Sequence, residues 1–336
     1  MKMTKMKTGS AIFVTALLLL CSNESLSAAQ QAAYGFWKSF LPAMLPFFLL
    51  SPYLTSPDAQ AAFSRVFGRA LQALLRIPGG GAGALLCALA AGTPAGAVAC
   101  AEAGRDMEAD AYARLCCLCS GLSPAFLITA VGSGQMGDAK SGWILYFSHV
   151  GALFLTGILL RRAKFGWGRP DEEDGRAGNN GIFANALAAM GKVLCWMTVF
   201  AVLSRILANR LDSIVPGWLI AALCEISGGA GQIASAPLPY EARMLLLSGL
   251  TGFGGLCVIA QCAGATGAKL KYFVPVKALH GLLSAALTFL FLHAGELPEL
   301  PAPQDVFGIG VIIAVGCTAA VFALTKCAKR AAEEGA

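Results

Sequence analysis

The sequence contains few charged residues. Asp, Glu, Lys and Arg make up 13% of its 336 positions, whereas an average globular chain has about 25%. This scarcity excludes an ordinary water-soluble protein. The apolar runs are also uninterrupted, and they lack the strict alternation of polar and apolar residues that strands of a membrane barrel need.

Signatures of catalysis and metal binding are missing as well. No HExxH motif, paired Asp or Ser-His arrangement occurs at a usable spacing, and no GxxxxGK[ST] loop is present. Cys116, Cys117 and Cys119 contain a CxxC, but no second CxxC or His-rich segment completes four zinc ligands. We therefore expect no enzymatic activity, no metal site and no cofactor.

Long apolar stretches dominate what is present, since 57% of the residues are hydrophobic. A helix needs about 20 apolar residues to cross a bilayer. The predicted fold class is an all-α polytopic membrane protein with about eight transmembrane helices plus two re-entrant helical hairpins. Residues 1–30 form a signal peptide or a first helix. Further spans are predicted at 33–54, 114–131, 143–160, 183–208, 244–263, 273–292 and 306–324.

Two apolar segments do not have the pattern of simple spans. Residues 77–101 begin with a Gly-rich run and are interrupted around Thr93, while residues 216–239 are interrupted at 227–231 and end in a Pro-Leu-Pro turn. Irregular backbone at membrane depth must be buried in protein or line a cavity. Both segments are therefore predicted to be re-entrant hairpins.

The positions of the 25 Lys and Arg residues predict the orientation in the cell membrane. Most fall on one side, which the positive-inside rule assigns to the cytoplasm together with both termini. The net charge of +6 is thus a topology signal, and no nucleic-acid partner is expected. Four basic residues near span ends are interpreted as snorkelling to the interface. They are Lys38, Lys192, Arg205 and Lys277.

The chain contains two halves that resemble each other. Residues 31–162 and 183–293 flank a cytoplasmic linker at 163–182, and residues 294–336 contain a last helix and a basic tail. His149 follows Gly121 by the same spacing as His280 follows Gly252. The two hairpins would enter from opposite faces, which predicts the inverted repeat common among secondary transporters.

Helix breaks are expected at 120–124 and 251–255, where free backbone groups could bind a solute. Pro124 removes a donor and frees an upstream carbonyl. His149 and His280 are either proton carriers or hydrogen-bonding partners of a neighbouring helix. The predicted substrate-binding residues line a polar cavity reached by both hairpin tips. They are Thr93, Ser120, Ser123, Glu225, Ser227, Thr251 and Gln261.

Several motifs together resemble the sporulation integral membrane protein YlbJ family. They are the run at 40–48, the hairpin at 78–97, the break at 120–126, and the glycines at 252–255 followed by Gln261. The resemblance implies a nucleoside-recognition or Gate domain, also found in the iron transporter FeoB and similar to the core of concentrative nucleoside transporters. The first hairpin lacks the Gln-Thr-Glu signature of those transporters, which argues against nucleosides.

The expected function is transport of a small polar solute or ion by alternating access, in the setting of sporulation. The alternative is a non-transporting assembly partner that retains the fold. This alternative predicts a dry, apolar junction between the hairpins, with Glu225 paired with a basic neighbour. Expected partners are the lipid bilayer, the solute, and either further copies of the chain or other sporulation membrane proteins.

Overall fold

A computed structural model describes residues 21–165 and 181–294 of the chain. Within these ranges the protein is helical and contains no β-strand. The predicted N-terminal segment up to residue 20, linker residues 166–180, and the predicted span at 306–324 with its flanking loop and tail lie outside the described residues.

The helices of the first half are short and frequently interrupted. They are α1 Ser22–Gly35, a π-helical turn Phe36–Phe40, α2 Leu41–Leu54, α3 Pro57–Leu75, a 3-10 turn Gly79–Gly81, α4 Ala82–Ala91, α5 Ala95–Ala103, α6 Ala109–Leu118, a π-helical segment Ala125–Gln135, and α7 Ala139–Leu159. The second half contains α8 Gly181–Leu211, α9 Gly217–Cys224, α10 Ile226–Ala234, α11 Tyr240–Phe253, α12 Gly255–Thr266 and α13 Leu270–His293.

Four of the described segments are long and apolar enough to cross a membrane: α7, α8, α13, and α11 together with α12. The pair formed by α3 and Gly79–Ala91 would make a fifth, although it bends by 104°. These segments match the predicted spans at 143–160, 183–208, 244–263 and 273–292. The chain is therefore an integral membrane protein, while the total of eight helices stays a prediction.

The predicted span at 114–131 is interrupted, because the helix there ends at Leu118 and resumes as a π-helical segment at Ala125; that it crosses the membrane stays a prediction. Proline at 124 has no backbone N–H and crowds the carbonyl of the residue four positions earlier, which is Ser120. Proline at this position therefore favours an interruption of the helix. The predicted break at 120–124 is thereby confirmed.

Both predicted hairpin segments contain a helix, a break and a second helix. We call α4 with α5 hairpin 1, and α9 with α10 hairpin 2; the two helices of each hairpin pack against each other. Their re-entrant placement and inverted-repeat arrangement stay predictions.

The position of the second hairpin's break differs from the prediction. The glycine-rich run at 227–231 lies inside α10, and the chain turns at Glu225, whose backbone is extended at φ −140° and ψ 109°. A Cβ at Gly229 would overlap the backbone of Ala222 in α9. Glycine at 229 therefore permits close helix packing here rather than interrupting the helix.

Small residues also bring the long helices together. Helix α13 packs against both α7 and α11, and Gly252 and Gly281 meet where α11 crosses α13. Beside them the hydroxyl groups of Ser248 and Ser284 lie 2.8 Å apart, and Thr288 Oγ1 donates to Ser248 Oγ at 2.7 Å. This tight, hydrogen-bonded crossing fixes α13, which supplies the central charged residue of the site described below.

Asp138 stabilises the start of α7. Its carboxylate accepts hydrogen bonds from the backbone N–H groups of Lys140 and Ser141, both at 3.0 Å. We expect Asp138→Ala to lower stability by about 1 kcal/mol, because the substitution leaves these N–H groups without their cap. Thermal unfolding in detergent measures the effect. The exposed Asp106 in the α5–α6 loop provides the control; an equal loss in Asp106→Ala would contradict the assignment.

Candidate functional site

The interruption between α6 and the π-helical segment, residues 119–124, is called break 1. The tip of hairpin 1 is bound to it, because both the backbone N–H and the hydroxyl group of Thr93 donate to the carbonyl of Gly121, at 2.8 and 2.7 Å. Gly92, with φ at 71°, lies so close that a Cβ there would overlap the backbone of Ser123. Hairpin 1 is therefore held against break 1 by backbone contact.

The second interruption, break 2, is the Gly254–Gly255 junction, where α11 ends and α12 begins; Thr251, Gly252 and Phe253 of the predicted break at 251–255 are still helical. Both glycines of the junction have positive φ, at 88° and 72°, a conformation that glycine adopts readily. The carbonyl oxygens of Ala222 and Leu223, at the tip of hairpin 2, lie 3.3 and 3.4 Å from where a Cβ of Gly255 would stand. Each hairpin tip thus contacts the break in the following helix of its own half.

Lys277 bonds to break 1 and lies beside break 2. Its side chain is 1% exposed although it lies inside an apolar span. The ammonium group donates to the carbonyl of Ser120 in break 1 at 2.9 Å. Its Cε carbon also lies 3.5 Å from where a Cβ of Gly254, in break 2, would stand.

Two histidines complete what we call the lysine–histidine cluster: Lys277, His280 and His149. Lys277 Nζ lies 3.2 Å from His280 Nδ1, and His280 Nε2 lies 3.0 Å from the carbonyl oxygen of His149. The two imidazole rings are 4.6 Å apart between centroids. The backbone N–H of Leu122, in break 1, donates to His149 Nε2 at 2.9 Å.

With Lys277 protonated, this hydrogen-bond pattern requires both histidines to be neutral rings. An ammonium group can only donate, so His280 accepts at Nδ1 and donates from Nε2 to the carbonyl of His149. His149 accepts at Nε2 and therefore carries its proton on Nδ1. That Nδ1 has no partner among the described residues, although the side chain is 1% exposed.

The charge of Lys277 has no opposite charge beside it. No carboxylate of residues 21–165 and 181–294 lies within ion-pair distance of its Nζ. The carboxylate of hairpin 2, Glu225, instead accepts from the backbone N–H groups of Ser227 and Gly228, at 3.0 and 2.8 Å. Lys277 is thus bound only by neutral acceptors.

Comparison with known proteins gives one relevant similarity. The chain is 23% identical to the sporulation integral membrane protein YlbJ of Bacillus subtilis (strain 168) over 338 aligned residues, which cover 83% of this chain and 80% of that protein. The chain is a relative of YlbJ. The resemblance predicted from the sequence motifs is confirmed. No family model and no solved structure matches the chain, so the likeness to nucleoside-recognition domains stays a prediction.

In this relative of YlbJ, three of the seven predicted binding residues meet at break 1. Thr93 binds the carbonyl of Gly121, and Ser123 Oγ accepts from the N–H of Phe126 at 3.1 Å. Ser120 contributes its carbonyl to Lys277, while its hydroxyl group donates to the carbonyl of Cys117 at 2.7 Å. Ser120 therefore takes part in the site through its backbone carbonyl and not through its hydroxyl group.

The other four predicted residues are more dispersed. Thr251 and Gln261 bond within their own helices, to the carbonyl of Ser248 and the sulfur of Cys257. Glu225 and Ser227 line a cavity of about 280 Å³ between hairpin 2, α1 and α8, which Arg205 also lines. The other five predicted residues do not line this cavity. The binding of a solute by all seven residues stays a prediction.

Lys277 itself was assigned the wrong environment. Its place near a span end predicts that it snorkels to the interface, whereas the side chain is fully buried. One signal was available: Lys277 precedes His280 by three residues, so the two share one face of a helix. Its contact with break 1, however, involves residues far apart in the sequence.

Proposed function

We propose that this chain is a secondary transporter or permease that moves a small polar solute or ion across the membrane by alternating access. The buried Lys277 beside the two breaks carries this proposal. An ionisable residue inside a membrane span faces a large desolvation penalty, and such residues line solute or ion pathways by default.

The paired breaks support the same proposal. Interrupted helices near the membrane midplane leave backbone groups free to bind solutes, and in inverted-repeat transporters they occur in matching positions of the two halves. Here each hairpin tip contacts the break of its own half, at Thr93–Gly121 and at Leu223–Gly255. Rocking of one half against the other would change the environment of Lys277, because that side chain bonds to break 1 and lies beside break 2.

The non-transporting assembly partner is less well supported. Its expected mark was a dry, apolar junction with Glu225 bound to a basic neighbour. Between the breaks lies instead a polar cluster of Lys277, His280 and His149, and Glu225 caps α10 through backbone N–H groups. These contacts favour a site that exchanges ligands over a purely structural joint.

The biological setting follows from YlbJ, which is named a sporulation integral membrane protein. We propose that this chain acts in sporulation in the cell membrane, with both termini in the cytoplasm. Its protein partners would be further copies of the chain or other sporulation membrane proteins. We propose no enzymatic activity.

Counterflow in proteoliposomes tests the proposal. Purified full-length protein is reconstituted, and uptake of labelled nucleosides, small carboxylates and metal ions is measured against protein-free liposomes. We expect saturable uptake of at least one solute, accelerated when the same unlabelled solute is loaded inside, because alternating access couples entry to exit. The absence of uptake for every solute would contradict transport and favour the assembly partner.

A further inference from the structure

We infer that the cavity between hairpin 2, α1 and α8 binds the phosphoethanolamine headgroup of a membrane lipid. No member of the lysine–histidine cluster lines this cavity, and the inference does not depend on transport. It follows from two opposite charges that line the cavity without pairing, from polar groups that are left without partners, and from the exposed position of α8.

The two opposite charges belong to Arg205 on α8 and to Glu225 at the turn of hairpin 2. They do not form an ion pair, although both side chains lie within the described residues and line one cavity. A group that enters such a cavity loses water, so each of its charges needs an opposite charge in the wall. A cation on one wall and an anion on another therefore favour a ligand that carries both charges.

Both charged side chains keep free hydrogen-bonding capacity. A guanidinium group has five N–H donors, and Arg205 uses Nη2 to donate to Gln31 Oε1 at 3.0 Å. A carboxylate has about four acceptor sites, and Glu225 accepts two backbone N–H groups, from positions 227 and 228. A phosphate group at Arg205 and an ammonium group at Glu225 would use the capacity that remains.

Uncharged polar groups complete the lining. Ser204 is 7% exposed, and its hydroxyl group has no hydrogen-bond partner among the described residues, although it lines the cavity. Ser227 and Gln232 add a second hydroxyl group and an amide group. A buried polar group without a partner costs free energy. A polar ligand in the cavity would offset that cost.

The size of the cavity also fits. Its volume of about 280 Å³ equals the share of about nine waters at about 30 Å³ each, and phosphoethanolamine has about eight non-hydrogen atoms. The headgroup would therefore fit as a whole, while two acyl chains would have to lie outside the cavity.

The position of the cavity favours a lipid over a soluble zwitterion. Only 22% of the apolar span of α8 is buried, less than in any other span that the structure describes, and its apolar side chains Trp196 and Val199 are exposed. Arg205 precedes the end of α8, at Leu211, by six residues, about 9 Å. The headgroup layer is about 5–8 Å thick. A lipid would thus place its acyl chains along α8 and its headgroup in the cavity.

The acidic wall selects among headgroups. Phosphatidylglycerol carries a phosphate without a cation, so Glu225 would repel it. The quaternary nitrogen of phosphatidylcholine has no N–H group and cannot donate to Glu225 or Gln232. A primary ammonium group has three N–H donors. Phosphatidylethanolamine therefore matches both walls of the cavity.

The test uses purified full-length protein, delipidated in detergent, and three lipids with identical acyl chains: phosphatidylethanolamine, phosphatidylcholine and phosphatidylglycerol. Free phosphoethanolamine is the soluble probe of the same chemistry. Thermal unfolding is measured with each probe, and the lipid retained after gel filtration is quantified by mass spectrometry. The variants are Arg205→Gln and Glu225→Gln. Lys192→Gln is the matched control, because Lys192 lies on α8, is exposed and does not line the cavity.

We expect phosphatidylethanolamine to raise the unfolding temperature of the wild type by about 2–4 °C more than the other two lipids. Arg205→Gln should lose this difference. Glu225→Gln should retain phosphatidylglycerol at least as well as phosphatidylethanolamine, because the repulsion is removed, and Lys192→Gln should resemble the wild type. A variant that was merely less stable would lose stability equally in all three lipids.

Three results would overturn the inference. The first is equal stabilisation of the wild type by all three lipids, and the second is a preference for phosphatidylethanolamine that persists in Arg205→Gln. The third is stabilisation by free phosphoethanolamine with none by the lipid, which would assign the cavity to a soluble zwitterion.

Discussion

Replacing Lys277 with methionine should remove most solute flux while changing the stability of the protein much less, because losing a buried charge and losing its hydrogen bonds act in opposite directions. Methionine has a similar length and flexibility but carries no charge. Flux should therefore fall much more than stability in this variant. If Lys277 had only a structural role, flux and stability would fall together.

The expected magnitudes follow from the environment of the side chain. Lys277 is 1% exposed and is bound only by the Ser120 carbonyl and His280. Removing a buried charge that has no opposite charge beside it relieves its desolvation penalty, while leaving each of its two acceptors without a donor costs about 1–3 kcal/mol. Each hydrogen bond to a charged group contributes about 1.5–3 kcal/mol, so losing one such contact with the solute would lower flux about 10- to 100-fold.

Lys271→Met provides the control, because it removes the same charge from an exposed position of α13. The initial rate of counterflow and the unfolding temperature are measured for both variants. If Lys277→Met kept the full rate of counterflow, Lys277 would not take part in transport. A large fall in unfolding temperature would instead assign Lys277 a role in holding the two breaks together.

The second large effect concerns two adjacent glycines in hairpin 2. Gly229→Ala should destabilise the protein by about 3 kcal/mol or more, at or above the usual range for overpacking, because its Cβ would overlap the backbone of Ala222. Gly228→Ala should be neutral or stabilising by about 0.5–1 kcal/mol. Its Cβ would meet only a carboxylate oxygen of Glu225, at 3.5 Å.

These variants form a matched pair, since both add one methyl group to neighbouring positions of α10. Thermal unfolding and limited proteolysis of hairpin 2 measure the difference. Equal stability of the two proteins would show that α9 and α10 do not pack as closely as the structure places them. If only Gly228→Ala destabilised the protein, the face of α10 that packs closely against α9 would be the one that carries Gly228, which contradicts the structure.

Much of the fold could be predicted from the sequence, because hydrocarbon thickness sets a length that apolar runs must meet. The spans now assigned to α7, α8 and α13 were recognised in this way. The break at Pro124 was also predictable, since proline lacks the donor that would bond the Ser120 carbonyl. Such features depend on one segment and on chemistry that is local to it.

Features that depend on contact between segments were predicted less well. The glycine run at 227–231 has the composition of a break, but it lies in a helix because glycine also permits close packing. The actual turn, at Glu225, depends on its carboxylate accepting the N–H groups of the next helix. Local composition could not distinguish these two uses of glycine.

The sequence by itself determined that this protein is helical, lies in a membrane, and interrupts its helices at break 1 and break 2. Those properties follow from hydropathy, proline and glycine, which act through the backbone nearby. Only the tertiary structure decided that Lys277 is buried, bonds to the Ser120 carbonyl and His280, and lies beside break 2. The reason is physical: the desolvation of a charge and the identity of its partners depend on which distant helices pack around it.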